Sequence, residues 1–237
     1  KASETGGAQF EVPRGSDTGL FPKAVNHDPV VRRIEERIAS ATGILVHPDE
    51  DMLSFARITT RGKVIRGGHY PPFGLHHESD TRPNRARTVL IYLEAPRRGG
   101  RTIFPLCGVP TSEPGKRERR QLFEDALGQQ WGNDNVGYRR HVGIDPKMEH
   151  PFNDFLTDVC NKQDGFASSP VAGSAIMFDS VIPGTNVPYN LTWHAGCNVV
   201  DGTKIILQKF KELRFRDRPK AYATFRRNQY FPYRHLA

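Results

Sequence analysis

The first strong pattern along the chain is that of an amphipathic helix. In the stretch HDPVVRRIEERIASATG, at 27–43, apolar residues recur every three or four positions, as on one face of an α-helix. They are Val31, Ile34 and Ile38. Asp28 is suited to cap the first turn, Pro29 to the first helical position and Gly43 to the end. The sequence therefore predicts a helix that packs on a core.

From about Met52 the pattern changes to short segments rich in β-branched and aromatic residues, separated by Gly and Pro turns. They read MLSFARIT, KVIRG, RTVLIYLEA, RTIFPL, SAIMFDS, LTWHAGC and KIILQKFKEL. Such strands after one helix predict a mostly antiparallel sandwich or barrel. Residues 1–25 are polar and rich in Gly and Pro, and we interpret them as an irregular arm.

A helical pattern returns between the fourth and fifth of these segments. It covers EPGKRERRQLFEDALGQQW and HPFNDFLTDVCNK. We interpret residues 106–168 as a helical insertion into the β core, which either governs the substrate or is a surface elaboration. Leu122, Phe123 and Leu127 share one side of its first helix, which could pack on the core or cover a cleft. Since no repeat and no second domain is visible, we expect residues 1–237 to form a single domain.

Composition excludes some function classes. A chain of 237 residues with 37% hydrophobic and 25% charged residues can bury a sizeable core. Its apolar runs are far shorter than the roughly 20 residues of a transmembrane helix, so we expect no membrane span. The net charge is +8, but the basic residues are scattered among 26 acidic ones. This favours acidic small molecules over nucleic acid.

The three cysteines, Cys107, Cys160 and Cys197, have no CxxC spacing, which argues against a structural zinc site. A disulfide between Cys107 and Cys160 is one option. The compartment stays open, with the secretory pathway and endoplasmic reticulum as candidates if a leader was removed. The oligomeric state stays open as well.

The stretch GLHHESDTRP contains half of a candidate metal site. In an extended segment, His76 and Glu78 point to the same side. The third ligand could be His194, in NLTWHAGC. Two His and one carboxylate on one face form the ligand set of non-haem Fe(II) oxygenases, which leaves positions for a co-substrate and O₂. His77 and Asp80 are rival ligands, and an HxE pair alone is common in solvated loops.

Lys204 follows His194 after a turn that would send the next strand back alongside the first. The lysine could then face the same pocket. A buried lysine needs an anionic partner, which a dicarboxylate co-substrate would supply. Taken alone, Lys204 is more typical of a surface position.

Together these stretches resemble the Fe(II)/2-oxoglutarate-dependent dioxygenases of the prolyl 4-hydroxylase type. The resemblance runs over nearly the whole chain and fails only over 106–168. It is carried above all by GHYPPFGLHHES, RARTVLIYLEAPRRGGRTIFP, PVAGSAIMFDS and TWHAGCNVVDGTKIILQKF. It implies a mainly β fold with flanking helices (α+β) around a double-stranded β-helix, or jelly-roll, core. It also implies Fe(II), 2-oxoglutarate and O₂ as cofactors and co-substrates, with ascorbate a further candidate.

The same resemblance implies residue roles. His76, Glu78 and His194 would bind Fe(II) as the catalytic centre. Lys204 would pair with the distal carboxylate of 2-oxoglutarate, and the Tyr92 hydroxyl would bond to the same group. The remaining roles are pocket lining for Thr102 and Phe210 and a turn for Gly99 and Gly100.

Two positions depart from the family. Glu78 stands where the family usually has aspartate, and the tyrosine usually found before the first His is replaced by Arg66 or Ile58. The second change weakens the prediction of a proline substrate but not the prediction of the cofactor.

Three hypotheses follow for the function. The first is hydroxylation of proline in a peptide or protein. The second is the same chemistry, as hydroxylation, desaturation or oxidative cyclisation, on a free amino acid or small metabolite, in a closed arginine-lined pocket. Arginines available for such a pocket are Arg66, Arg85, Arg87, Arg97 and Arg98. The third is a non-catalytic binding domain, against which the intact triad and Lys204 argue.

Overall fold

The computed structural model describes residues 16–20, 28–48, 50–59, 75–78, 85–108, 112–131, 154–162, 165–183, 185 and 187–214. The elements are β1 (Ser16–Leu20), α1 (Pro29–Thr42), β2 (Ser54–Thr59), β3 (Arg85–Glu94), β4 (Arg98–Gly99), β5 (Thr102–Phe104), α2 (Glu113–Trp131), α3 (Asp154–Lys162), β6 (Phe166–Ser168), β7 (Ala175–Asp179), β8 (Ala195–Gly196), β9 (Val199–Asp201) and β10 (Thr203–Glu212). None of the helices in these ranges combines the length and apolar character that crossing a membrane requires.

Two antiparallel sheets form the core. The larger has the order β1-β2-β10-β3-β7 and the smaller the order β6-β5-β8. An antiparallel bridge between His76 and His194 extends the smaller sheet beyond β8. The chain passes from the large sheet (β2) to the small one (His76), back (β3), across again (β5, β6), and so on through β7, β8 and β10. This alternation is that of a double-stranded β-helix, and it confirms the jelly-roll prediction.

The two faces of the large sheet carry different apolar clusters, as the period-two alternation of strands requires. On the outer face, Val89 and Leu207 pack with Leu53 against Val31 and Ile38 of α1. The inner face carries Ala56, Leu90, Tyr92 and Ile206, with Ile176 and Phe178 against them. Helix α1 therefore closes the outer side, and the inner side faces the small sheet.

The predicted first helix is confirmed together with both of its ends. The Asp28 carboxylate accepts hydrogen bonds from the backbone N–H groups of Val30 and Val31, at 2.8 and 3.2 Å. Such a cap contributes about 1 kcal/mol. Gly43 ends the helix in the left-handed conformation, with φ 69°, which glycine adopts without steric cost.

Two local predictions about strands were wrong. Residues 16–20 belong to strand β1, which pairs with β2, so the irregular arm does not extend over them. Backbone hydrogen bonds to an edge strand do not depend on apolar side chains, which is why composition missed it. Residues 190–192 form a 3₁₀ turn rather than a strand, closed by bonds to the Tyr189 carbonyl. The KVIRG segment lies outside the described residues.

Both predicted helices of the insertion form, as α2 and α3. Strand β6, however, pairs with β5 in the small sheet, so residues 166–168 belong to the β core and not to the predicted insertion. Phe123 of α2 packs in a buried cluster of the small sheet and α3. The cluster comprises Leu75, Ile103, Phe123, Leu156, Val159, Trp193, Ala195 and Cys197. Leu122 is exposed. Of the two options for this helix face, the described residues favour packing on the core.

The predicted disulfide between Cys107 and Cys160 was wrong. Cys160 of α3 is bonded to Cys197, with Cα atoms 5.9 Å apart, and Cys107 is free. Cys197 belongs to the apolar cluster and Cys160 packs against it, which brings α3 against the strand that follows His194. A pairing of this kind depends on tertiary packing and not on spacing along the chain.

Candidate metal centre

Two histidines far apart in sequence meet across one antiparallel bridge. The His76 N–H donates to the His194 carbonyl and the His194 N–H to the His76 carbonyl, both at 3.0 Å. Directly opposed residues project their side chains to the same face, and the two imidazole centroids lie 4.1 Å apart. The small sheet thus delivers two imidazoles to the space between the sheets.

The carboxylate of Glu78 completes the cluster. Its Oε1 lies 3.6 Å from His76 Nε2 and 3.4 Å from His194 Nε2. One ligand atom from each residue falls within 4.8 Å of the others. Ligand atoms about 2.0–2.2 Å from one ion have this kind of mutual spacing. The three side chains therefore fit a single metal ion with the ligand chemistry of a facial triad.

The environment of His194 prepares it as a ligand. Its Nδ1–H donates to the Thr192 carbonyl at 2.9 Å, which leaves the Nε2 lone pair free to face the cluster. Burial, aided by the charge of His76, lowers the pKa of His194, so the ring stays neutral near pH 7. The ring also packs against Phe104 and Phe178, with centroids 5.6 and 4.8 Å away.

Glu78 is held in its anionic form. Burial raises its pKa, but the close imidazoles of His194 and His76 and the charge of Arg85 outweigh burial and lower the pKa well below its usual value. Arg85 Nη1 donates to Glu78 Oε2 at 2.9 Å. A buried carboxylate that remains charged is what a divalent ion requires.

His77 does not share the cluster. Its Nε2 lies 3.3 Å from the Tyr189 carbonyl and 3.2 Å from Thr192 Oγ1, and its ring packs on Trp193 at 5.6 Å. Burial lowers its pKa to about 4. The alternation of the chain explains the difference, since His77 points to the side opposite His76. The other rival, Asp80, lies outside the described residues.

Lys204 is a buried cation, 3% exposed. Within the described part of the chain no carboxylate lies within ion-pair distance of its Nζ, which is 5.5 Å from the centre of the Tyr92 ring. Burial lowers its pKa to about 8. Alternate residues of β10 share a face, so Lys204 shares one with Gln208, whose Nε2 lies 3.5 Å from Glu78 Oε1. The cation and the metal cluster therefore border one interior space.

The hydroxyl of Tyr92 lies near both sheets. It is 3.1 Å from Thr102 Oγ1 and 3.4 Å from Ser168 Oγ. Thr102 in turn pairs with Gly196, two positions after His194. Tyr92 and Thr102 thus lie together at the end of the interior where Lys204 is found.

Phe210 lies elsewhere. It shares the face of β10 with Lys204 and Gln208, but beyond Gln208, and the Arg85 guanidinium stacks on its ring at 3.5 Å. Phe210 therefore supports the carboxylate side of the cluster rather than the Lys204 end. Sequence reasoning missed the contacts of Arg85 and Gln208 with Glu78. The alternation along β10 could have indicated Gln208, because it places that residue on the face of Lys204.

The sequence offered two residues, Ile58 and Arg66, at the position where the prolyl 4-hydroxylase type usually has a tyrosine. Ile58 of β2 pairs directly with Lys204 of β10, so an apolar side chain stands beside the buried lysine. Arg66 lies outside the described residues. The tight turn predicted at Gly99 and Gly100 is present, with φ 84° and 72°. A Cβ on Gly100 would lie 3.4 Å from Lys204 Cδ, so this turn approaches the lysine closely.

One curated relative is similar to most of this chain, and another is similar to about a third of it. A probable prolyl 4-hydroxylase 4 from Arabidopsis thaliana is 25% identical over 214 residues, which cover 85% of this chain and 54% of that protein. The prolyl 4-hydroxylase subunit alpha-3 of Rattus norvegicus is 34% identical over 84 residues, 32% of this chain and 14% of that protein. The chain is prolyl 4-hydroxylase-like in sequence. It spans about half the length of the Arabidopsis relative.

Two solved structures have a limited likeness to this chain. A viral collagen prolyl hydroxylase from Paramecium Bursaria Chlorella virus-1, as its 2OG complex, has a TM-score of 0.44 and 19% identity, over 85% of this chain and 82% of that one. An oxidoreductase of the 2OG-Fe(II) oxygenase family from Burkholderia pseudomallei has a TM-score of 0.35 and 12% identity, over 78% and 53%. No protein-family model matches the chain.

Proposed function

We propose that the protein is an Fe(II)- and 2-oxoglutarate-dependent dioxygenase that hydroxylates an unactivated C–H bond. The main observation in support is that two groups border one space between the two sheets. They are the cluster of His76, Glu78 and His194, and the buried Lys204. The cluster offers the ligand set of a non-haem iron site. Lys204 offers a desolvated cation for a carboxylate. The likeness to prolyl 4-hydroxylases supports the same proposal.

The chemistry divides between the cofactor and the chain. When bound, Fe(II) with 2-oxoglutarate and O₂ supplies the oxidant, and succinate and CO₂ are released. The chain would hold the metal through one face and leave its other positions open. Lys204 would bind the distal carboxylate of the co-substrate, beside Tyr92 and Thr102. Because Lys204, Tyr92 and Thr102 lie on strands, their positions are fixed more firmly than they would be on loops.

For the substrate we propose proline in a peptide or protein. The similar curated proteins are prolyl 4-hydroxylases. The side chain of His76 is 32% exposed, whereas that of His194 is 4% exposed, so the cluster is open on the side of His76. A peptide could reach the cluster from there.

The alternative, a free amino acid or small metabolite, would need arginines directed into a closed pocket. Three of the candidate arginines are already engaged by carboxylates of the chain. Arg85 binds Glu78 and Asp51, Arg87 binds Asp179, and Arg97 binds Asp201 on the surface. This favours the peptide hypothesis.

The test is a succinate-release assay with two panels of substrates, proline-rich peptides and free amino acids, with and without ascorbate. Products are identified by mass spectrometry. We expect succinate and a +16 Da product with a peptide, about one for one, and none from His194→Ala. Turnover of the free amino acids alone would replace the peptide hypothesis by the alternative. No turnover of 2-oxoglutarate under any condition, with folded and iron-loaded protein, would contradict the dioxygenase proposal.

A further inference from the structure

The two oxygens of the Glu78 carboxylate face different groups. Oε1 faces His76 and His194, at 3.6 and 3.4 Å. Oε2 accepts a hydrogen bond from Arg85 Nη1 at 2.9 Å, where both side chains are buried. We propose that Arg85 is a positioning residue of the metal centre, which fixes Glu78 as a ligand through one oxygen only. This inference rests on the metal centre proposed above.

Arg85 is itself fixed by groups other than Glu78. Its Nη2 and Nε donate to Asp51 Oδ2 at 2.6 and 3.3 Å, and its guanidinium stacks on the Phe210 ring at 3.5 Å. The planar fork of an arginine can bind two carboxylates at a set angle, which a lysine cannot do. The guanidinium therefore has a defined place of its own and imposes that place on Glu78.

The anchor continues through the sheet to its outer side. Lys209 Nζ donates to the Asp51 carbonyl at 2.8 Å and to Glu35 Oε1 of α1 at 2.9 Å. Lys209 is buried, on the face of β10 opposite Gln208. A connected series of hydrogen bonds thus runs from α1 to the metal carboxylate. Connected hydrogen bonds in a largely buried setting rigidify the groups they join.

A glutamate ligand needs such support more than an aspartate does. Its extra methylene adds one rotatable bond, whose freedom is lost when the carboxylate binds a metal. An unrestrained glutamate could also offer both oxygens to the ion and occupy a position that the co-substrate requires. The contact of Gln208 with Oε1 is 3.5 Å long, too long to prevent either. Arg85 restricts the rotation of Glu78 and keeps its second oxygen from the ion, because Arg85 occupies Oε2.

The test measures binding of Co(II) alone by its visible absorption, in Arg85→Lys, Glu78→Asp and the double variant. We expect Arg85→Lys to weaken Co(II) binding at least tenfold and to shift the absorption bands. We expect the shorter aspartate to lose its contact with Arg85 while it faces both histidines. In the Glu78→Asp background, Arg85→Lys should therefore weaken binding less than twofold further. Independent, additive losses would overturn the inference, because the inference requires Arg85 to act on metal binding through Glu78.

Arg87→Lys is the matched control. Arg87 lies on the same strand and binds Asp179 and the Thr42 carbonyl, away from the cluster, so Co(II) binding should not change. If Arg85→Lys does not fold by circular dichroism, Asp51→Asn takes its place. This change loosens Arg85 without touching the cluster, and we expect binding severalfold weaker; unchanged binding would overturn the inference. Wild-type protein that binds no Co(II) would instead contradict the metal centre itself.

Discussion

Glu78 Oε1 and His194 Nε2 lie 3.4 Å apart, although the two residues come from opposite halves of the chain and from different turns of the β-helix. Neither residue is held by the other alone. His194 is oriented by the Thr192 carbonyl and Glu78 by Arg85. Other groups of the chain therefore orient both side chains towards the cluster.

Replacing His76, Glu78 or His194 with alanine should abolish Fe(II) binding and turnover while the protein stays folded. A single ion needs all three ligands, and loss of one leaves too few protein donors. Isothermal titration with Fe(II) under anaerobic conditions measures the loss, and circular dichroism checks the fold. His77→Gln is the control and should keep the metal. Retained binding in His76→Ala together with loss in His77→Gln would mean that the wrong histidine was assigned.

Lys204→Met should weaken 2-oxoglutarate binding at least tenfold and leave metal binding unchanged. Methionine keeps the length of the side chain but leaves a carboxylate unpaired in a buried site, at a cost of about 2–5 kcal/mol. Binding is measured by titration of Mn(II)-loaded protein without O₂. The control is Lys116→Met, which changes an exposed lysine of α2. Equal affinity in Lys204→Met and wild type would remove Lys204 from the co-substrate site.

The affinity for 2-oxoglutarate should fall as the pH rises through about 8. Burial lowers the pKa of Lys204 from its ordinary 10.5 to about 8. The lysine is charged and can pair with a carboxylate below that value, and it is neutral above it. The carboxylates of 2-oxoglutarate stay ionised throughout, so Lys204→Met should show a flat profile between pH 7 and 9.5. The same slope in both proteins would assign the titration to another group.

Loss of the Cys160–Cys197 disulfide should destabilise the protein by about 2–4 kcal/mol, because the bond closes a loop in the unfolded chain. Urea unfolding of Cys160→Ser and of the oxidised wild type measures the change in the free energy of unfolding. Cys107→Ser, which removes the free cysteine, should change stability by less than about 0.5 kcal/mol. Dithiothreitol should lower the midpoint of the wild type but not that of Cys160→Ser. Equal midpoints for wild type and Cys160→Ser would speak against a stabilising bond.

Phe123→Ala should cost about 3–5 kcal/mol of stability, whereas Leu122→Ala should cost less than about 1 kcal/mol. The two residues are neighbours on α2, but Phe123 is 1% exposed and Leu122 41%. Phe123 also contacts Trp193, next to His194, with ring centroids 5.6 Å apart. Thermal unfolding of Phe123→Ala, Leu122→Ala and wild type measures the loss of stability in each variant. If Leu122→Ala proved the more destabilising, α2 would not pack on the small sheet as described.

A lid role of the insertion would have a different signature. Shortening a lid would impair coupled substrate oxidation and spare slow conversion of 2-oxoglutarate without substrate. The contacts of Phe123 indicate that such a deletion would also expose the core cluster. Activity therefore has to be compared at a temperature where circular dichroism reports the shortened protein as folded.

Local patterns in the sequence determined the parts of the structure that depend on near neighbours. The cap at Asp28, the apolar stripe of α1 and the end at Gly43 all follow from contacts within a few residues. The long strands β3 and β10 were visible because they are rich in β-branched and aromatic residues and are separated from their neighbours by Gly and Pro turns. The spacing of His76 and Glu78 was also sufficient to place both on one side of an extended segment.

Only the tertiary structure decided which distant groups meet. The bridge between His76 and His194, the bond of Cys160 to Cys197 rather than to Cys107, and the contact of Arg85 with Glu78 all depend on which strands and helices lie side by side. Strand β1 is a further case. The backbone hydrogen bonds that pair strands are the same for every residue type, so a single sequence carries little information about partners that far apart.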